Sequence, residues 1–536
     1  MREKMSIPKV EIRNGQKILL VDDRPFVLLS GELHNSSSST LEYMAPIWDK
    51  MQAIHLNSLL FPVTWQQLEP VEGEFHFELI DGLIEQAKAH EMKIGILWFG
   101  TWKNAACSYA PDWVKKDLAR FPRAEVIKGR HFANVSVGSW EMTYTTLSAF
   151  SGETAKMDAR AFARLCAHLR EYDTDHTVIL IQVENETGIL GAGRDHSDPA
   201  DAAFAEKVPK ELVDGLLARK EGLVPDVREA LEKCREGSWE EVFGEAAEEM
   251  LMAWYTAKHI ETVASAGKAE YPIPMYANCW LAQGGKPGNY PSGGPVYRVL
   301  EVYQIAAPSL SWLAPDIYVQ QFAETCKKYV KQGNPLFIPE TGLLFRTTSR
   351  LIYAVGRFHA LCFAPFGIED IWRPANSEPL SFAGMDQEDP AMRKQLQPEV
   401  YGRANELLAG LLPVITPLYG TKDLQAVIQE DPEELTMDLG NVKVRASFNS
   451  PWLEKGAGAL LAAKTAEDEF YFLGCSTIPR VESLDPERPY VEFLTVEEGE
   501  FADGRWVMHR LLNGDEEHLH FGPVPTLLKV RMHLYD

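Results

Sequence analysis

The stretch IQVENETG, residues 181–188, decides how this chain is read. An apolar run, Val178, Ile179, Leu180 and Ile181, drives straight into Glu184, Asn185 and Glu186. A buried strand has no structural reason to end this way, because burying charge is costly unless the charge is paired or used. A second such event follows in PLFIPETG (335–342), where Glu340 closes another short apolar run. The two glutamates end two strands that lie far apart in sequence, so a common site has to be assembled by the fold.

On both sides of this stretch, short apolar runs alternate with amphipathic helical patterns, which predicts a βα repeat with parallel strands. The first run is PFVLLSGE (25–32), preceded by a hairpin strand at 17–22. Asn35 and the Ser/Thr cluster at 36–40 supply helix-capping chemistry. The helix that follows carries Met44, Ile47, Trp48, Met51 and Ile54 at 3.6-residue spacing. NSLLFPVTW (57–65) is the second strand, and Ile80, Leu83, Ile84 and Ala87 mark the second helix. KIGILWFG (93–100) is the third strand, and HTVILIQVENE (176–186), after a helix at about 158–171, is the fourth. A charged, helix-rich insertion at about 195–246 reads as lid or surface. PMYANCW (274–280), APDIYVQ (314–320), PLFIPE (335–340) and FAPFGIEDIW (363–372) complete the set.

Eight strands with helices between them predict an α/β protein of the (β/α)8 TIM-barrel class, spanning 1–415 with its hairpin and insertion. The alternative is an open doubly wound sheet. Against it, SGELHN (30–35) after the first strand holds one glycine, and no Walker-type phosphate loop occurs. After Pro413 the texture changes. VKVRASF (442–448), FYFLG (470–474) and TLLKVRMHLY (526–535) read as strands between polar turns, which predicts an antiparallel β-sandwich-like accessory domain over 420–536.

With 45% hydrophobic and 24% charged residues the chain has an ordinary globular make-up. Its net charge of −24 argues against nucleic-acid and anionic-membrane partners, which require basic surfaces. The seven cysteines are scattered singly, which fits neither a disulfide framework nor a zinc site. Residues 1–14 show no apolar signal core, and no run is long enough to span a bilayer, so cytoplasmic residence is the expectation. A homo-oligomer is compatible with an acidic barrel of this size.

In a (β/α)8 barrel, reactive side chains sit at the C-terminal ends of the strands, where this reading puts Glu186 and Glu340. Cleaving a glycosidic bond needs one acid to protonate the leaving oxygen and a second carboxylate to attack or to activate water. Like charges held close, and burial, can separate the two pKa values as that requires. Asn185 is placed to bind a sugar hydroxyl, and Tyr318 to hold the attacking carboxylate ionised. Trp65, Trp102, Trp280 and Trp372 fall at or just past four other strand ends, where flat apolar faces suit a pyranose. Each has a plainer alternative. Any one tryptophan is at home in a core, Glu184 suits a paired structural role, and Glu340 between Pro339 and Gly342 could be a turn residue. His34 and His55 lack metal-ligand spacing, and neither a metal nor a cofactor is expected.

QVENETG (182–188) closely resembles the acid/base strand of glycoside hydrolase family 35, the β-galactosidase family of clan A, with Thr187 where the usual pattern has Tyr. The resemblance implies that Glu186 is the general acid/base, that Glu340 is the nucleophile, and that the reaction retains configuration. SLLFPVTWQQLEPVEGEFHF (58–77) is similar to that family's second strand and its Trp…Glu-Pro…Gly…Phe stretch, and APDWVK (110–115) also has a counterpart. The likeness covers roughly residues 10–410. The β-rich tail resembles a small C-terminal domain of unknown function found in a bacterial branch of the family. Three places depart from the pattern. WKNAA (102–106) replaces a Cys-Ala-Glu segment that recognises galactose, GELH (31–34) replaces Gly-Ser-Ile-His, and TGLL (341–344) replaces an aromatic-rich motif. Glu32, Lys103 and Asn104 are therefore candidates for sugar contacts of this branch.

The resulting expectation is a retaining, exo-acting β-glycosidase acting on a carbohydrate substrate, with β-galactosides first. The alternatives are a β-glucosidase or transglycosylase on β-linked gluco-oligosaccharides and, in another class, a non-catalytic carbohydrate-binding barrel.

Overall fold

Eight short parallel strands arise where the apolar runs stand. Following the barrel from its first strand, these are β1 (Leu28–Glu32), β2 (Ser58–Thr64), β3 (Lys93–Phe99), β4 (Val178–Val183), β5 (Met275–Trp280), β6 (Trp312–Asp316), β7 (Phe337–Thr341) and β8 (Cys362–Pro365). The computed structural model describes residues 6–137, 140–373, 396–450, 453 and 457–536. Neighbours pair in the order β6-β5-β4-β3-β2-β1-β8-β7. The ring is nearly closed between β6 and β7, where Ile317 and Thr341 form a single parallel bridge. The TIM-barrel expectation holds, and the open doubly wound sheet is excluded by this closure.

Successive residues of a strand point to opposite faces. Leu28, Leu60, Leu97, Phe99, Leu180, Tyr276, Trp312, Ala314, Phe337, Cys362 and Ala364 accordingly form one buried cluster inside the barrel. Leu19 and Val21, from the hairpin strand Gln16–Val21, join the same cluster. The helices bury their other neighbours. In Leu41–Ala53 the residues Met44, Ile47, Trp48 and Met51 face inward, and the Thr40 hydroxyl caps the amide of Tyr43. The longest helix, Ala247–Glu270, is apolar almost all round and is buried along most of its length.

The insertion at 195–246 folds into the helices Asp198–Ala205, Lys210–Ala218, Pro225–Lys233 and Trp239–Phe243. Leu212, Leu216, Leu231, Trp239 and Phe243 are buried in the same core as the barrel helices. The insertion is thus packed scaffold, with most of its charges toward solvent and Asp195 buried at its start, where it accepts from the Glu125 amide and the Ser148 hydroxyl.

The tail folds into antiparallel sheets. One six-stranded sheet runs Leu424–Ile428, Ala459–Lys464, Glu469–Cys475, Thr526–Tyr535, Tyr490–Ala502 and Arg505–Leu512 in spatial order, and a three-stranded sheet faces it. Alternation divides its residues between two cores. Val427, Leu460, Ala462, Phe470 and Phe472 face the smaller sheet. Ala426, Leu461, Ala463, Tyr471 and Leu473 face the barrel and share its core.

An ion pair crosses the same boundary. Arg350, fully buried on the helix Thr347–Phe358, makes two hydrogen bonds to the Glu430 carboxylate at 3.0 and 3.1 Å. Removing one partner of a buried pair leaves the other charge under-compensated, here with the Arg346 guanidinium at 3.4 Å as the remaining ion-pair partner of Glu430 among the described residues. Arg350→Ala is expected to cost about 3–5 kcal/mol of unfolding free energy, measured by denaturant titration.

Candidate active site

The two loops that follow β3 and β4 cross at the C-terminal end of the barrel, and they are stitched together mainly through the backbone. The amide of Trp102 donates to Glu184 Oε2 at 2.7 Å, the amide of Asn185 to the carbonyl of Trp102 at 3.3 Å, and the amide of Ala105 to the carbonyl of Glu186 at 2.9 Å. Asn104, Ala105, Glu184 and Glu186 all adopt left-handed backbone conformations, with φ of 51°, 56°, 65° and 45°. Such conformations cost of order 1–3 kcal/mol each and persist where the surroundings impose them, commonly at functional sites. Gly100 is needed for the close approach, since a Cβ there would lie 2.6 Å from Glu184 Oε1 and 2.7 Å from Asp158 Oδ1.

Glu184 lies beneath the site. It is fully buried, and burial followed by the nearby Asp158 carboxylate pushes its pKa well above the ordinary range. Asp158 in turn accepts from the Trp98 indole at 2.8 Å and from the Thr101 amide and hydroxyl at 3.0 and 2.5 Å. This network fixes the two loops.

Glu186 and Glu340 come together from β4 and β7. Their carboxylate oxygens, with one from Asp316, lie within 4.8 Å of one another. Glu340 reaches this position through a register shift in the pairing of β7 with β8 between Ile338 and Thr341. It is 4% exposed and is held by the Tyr318 hydroxyl at 2.9 Å, the Asn185 side-chain amide at 3.3 Å and the Lys103 ammonium at 3.9 Å. Burial, then the neighbouring Glu340 carboxylate, push the Glu186 carboxyl up to about 7, against the opposing influence of Lys103, Asp316 and Asn104. The Asn104 side-chain amide donates to Glu186 Oε2 in a short hydrogen bond.

Burial works against the charge of Lys103, yet the carboxyl groups around it, Glu340 first and then Glu186, outweigh that effect and hold its pKa above the usual lysine value. Glu32 has no exposed surface, and neither of its oxygens meets a donor among the described residues. Burial first, and Glu340 second, push its pKa well up, so it stands as a neutral carboxylic acid. Glu32 is thus placed beneath Glu340, out of reach of a ligand. Lys103 and Asn104 are engaged by the two catalytic candidates themselves.

The tryptophans divide. Trp65 is completely enclosed, because the chain turns into the short helix Trp65–Leu68, and its indole donates to Glu69 at 2.9 Å. It offers no face to a sugar, which corrects the expectation for this residue. Trp102 is 2% exposed and packs edge-on against His259 at 4.5 Å, so its ring is also withdrawn. Trp280 is partly buried at the end of β5, beside the apolar cluster that holds Ala105, Tyr144 and Ile189. Trp372 is 42% exposed and follows the turn at Ile368–Asp370, beyond the end of β8.

Two site residues were not foreseen from the sequence. Asn278 on β5 accepts the amide of Glu186 at 3.1 Å and donates to Asp316 Oδ2 at 2.7 Å. Both follow the inward alternation, Tyr276 then Asn278, and Trp312, Ala314, then Asp316, which was the available signal. Among the described residues, Glu186, Asp316 and Glu340 are also the one cluster of oxygens close enough to hold a hard cation, and the Lys103 ammonium beside Glu340 already brings positive charge there. His34 is engaged by Asp370 at 2.9 Å, apart from this cluster.

Residues 38–220 match the glycoside hydrolase family 42 model, described as beta-galactosidase, and residues 401–522 match a domain of unknown function, DUF5597. No curated protein matches. Among solved structures, the chain is similar to a β-galactosidase from Rahnella sp. R3, with 16% identity, TM-score 0.40, and coverage of 63% of this chain and 50% of that one. It is similar to a β-galactosidase from Marinomonas ef1, with 14% identity, TM-score 0.46, and coverage of 73% and 60%. The catalytic domain of a β-amylase from Paenibacillus polymyxa shows 12% identity, TM-score 0.43, and coverage of 63% and 91%. The chain thus spans between half and three-fifths of the length of these two β-galactosidases. The matched family is 42, which is a different family from the 35 suggested by QVENETG, and the expected C-terminal domain of unknown function is found. The family 42 segment runs from the first barrel helix past β4 and contains Glu186, so the glycosidase class expected from the two glutamates agrees with the family match.

Proposed function

We propose that the protein is a retaining, exo-acting β-glycosidase that releases terminal non-reducing β-linked sugars, with β-galactosides as its first substrates. The observation that carries this reading is the convergence of Glu186 and Glu340 within 4.8 Å. Retaining enzymes hold their carboxyl groups roughly 5–5.5 Å apart, whereas an inverting enzyme needs roughly 6.5–9.5 Å to admit a water. Glu340, held by Tyr318, Asn185 and Lys103, attacks the anomeric carbon. Glu186 gives its proton to the glycosidic oxygen, and the aglycone leaves. Glu186 then takes a proton from water as the water attacks the same carbon, the bond to Glu340 breaks, and the sugar departs with its configuration retained.

A second reading, a β-glucosidase or a transglycosylase on β-linked gluco-oligosaccharides, draws support from WKNAA (102–106). No carboxylate stands there for galactose, and Lys103 and Asn104 are occupied by Glu340 and Glu186. Kinship with family 35 rests on QVENETG and the segments around it and is part of this proposal. So are cytoplasmic residence and the absence of nucleic-acid or membrane partners. Their support is the net charge of −24, seven cysteines free of disulfides, and no helix among the described residues long and apolar enough to cross a membrane.

A hydrolysis screen over para-nitrophenyl β-glycosides, run beside Glu340→Gln, tests the reading. Release from the β-galactoside that vanishes in the variant supports it. Release from another sugar changes the substrate and keeps the mechanism. Equal release by the variant would rule out Glu340 as nucleophile. The pH profile gives a second test. On alkyl or sugar glycosides, whose leaving groups need a proton, Glu186 must carry its proton when the aglycone leaves, so kcat/KM should fall as pH rises through about 7.

A further inference from the structure

Asp316 is a third carboxyl group in the site, and neither step of the mechanism uses it. It is 2% exposed at the end of β6. One of its oxygens accepts from Asn278, and the same Asn278 accepts the amide of Glu186, so one side chain sets the position of both groups. The other oxygen, Oδ1, is buried and meets no donor among the described residues. The carboxyl faces Glu186 and Glu340 with oxygens within 4.8 Å. Carboxylates so close in a dry place cannot all be ionised. A proton on Asp316 changes it from a repelling charge into a hydrogen-bond donor.

We propose that Asp316 is the positioning residue of the acid/base, a carboxyl group that keeps its own proton and donates it in a hydrogen bond to Glu186, thereby setting the pH range in which Glu186 acts as an acid. The inference rests on the glycosidase reading above. Burial pushes the Asp316 carboxyl well up, with Glu340 and Glu186 adding to the effect, and a bond from Asp316 lowers the pKa of Glu186. The other ionisable groups around the pair are Glu32 from β1, Lys103 from the loop after β3, and Glu340 from β7. Tyr144, Tyr276, Cys279, Tyr318 and Tyr329 also surround it, and burial raises each of them, so they stay neutral near pH 7. The proton on Asp316 therefore removes a negative charge that would compete with Glu186.

The test is the pH dependence of kcat/KM on an alkyl or sugar glycoside in Asp316→Asn and Asp316→Ala, where the leaving group needs a proton and the basic limb reports Glu186. Asparagine keeps an acceptor for Asn278 and a donor for Glu186, so its basic limb should stay within about 0.3 pH unit of the wild type. Alanine removes the donor and should raise the limb by about one unit. If Asp316 were ionised, its replacement by asparagine would remove a like charge and lower the limb by about a unit, which would overturn the proposal. An unmoved limb in the alanine variant would overturn it too. An infrared comparison of wild type with Asp316→Asn at neutral pH needs no turnover. The band of one protonated carboxyl group should disappear, and its persistence would refute the proton on Asp316. Unimpaired activity of Glu340→Gln would instead sink the glycosidase reading and leave the infrared result standing.

Discussion

Glu340→Gln is expected to lower kcat/KM on an activated β-glycoside by roughly 10⁴-fold or more while leaving the fold intact. Glutamine preserves the shape of the side chain, its oxygen can still accept from Asn185 and its NH2 can donate to the Tyr318 oxygen, but it has no charge with which to attack or to balance Lys103. Glu186→Gln should behave differently. Its loss, about 10²–10⁴-fold, should be large for sugar or alkyl leaving groups and small for nitrophenolate, which departs without needing a proton. A non-catalytic carbohydrate-binding barrel would show neither pattern, because sugar binding would barely notice either change. Parallel kinetics on nitrophenyl and alkyl glycosides check both expectations.

Lys103→Met is expected to cost about 10³-fold in kcat/KM. Its ammonium lies 3.9 Å from Glu340 Oε1, with its side chain 4% exposed. Unit charges at about 4 Å in an effective dielectric near 20 attract by roughly 4 kcal/mol, which corresponds to about a thousandfold. Without the ammonium, buried carboxyl groups are left with no counter-charge, and the stabilisation of ionised Glu340 is lost. Lys103 also lowers the pKa of Glu186. Its removal should therefore move the basic limb of the pH profile to higher pH even as the rate falls. A rate loss with an unmoved limb would mean that Lys103 acts through packing alone.

Much of this was legible in the sequence, for physical reasons. β2 and β3 were found within a residue of their observed ends because their apolar runs are bounded by polar or turn residues. Glu186 and Glu340 were legible because a carboxylate that ends an apolar strand has no packing explanation. What was not legible depended on three-dimensional register. APDIYVQ was read as a strand to residue 320, but β6 ends at Asp316, where Ile317 makes the bridge that nearly closes the barrel. Tyr318 therefore lies in the loop after β6, and its hydroxyl still reaches Glu340. Asp316 was read as the third residue of that strand and given no role, and only its alignment with Trp312 and Ala314 on the inward face marks it as a site residue. Trp65 looked like a sugar platform at the end of β2, yet the helix that begins there turns its indole onto Glu69. Glu32 was expected to touch the sugar, whereas its position on β1 sets it beneath Glu340 as a neutral acid.

The most direct test of the central claim, that Glu340 forms a covalent bond to the sugar with Glu186 as its acid/base partner, is to trap that intermediate. The protein would be incubated with a 2-deoxy-2-fluoro glycoside of the sugar found in the screen, bearing an activated leaving group, and then analysed intact and after proteolysis by mass spectrometry. A gain of one fluorosugar per chain, located on the peptide that contains Glu340, is the expected result. Attachment at another residue, or no adduct from an enzyme that turns over the parent glycoside, would contradict it.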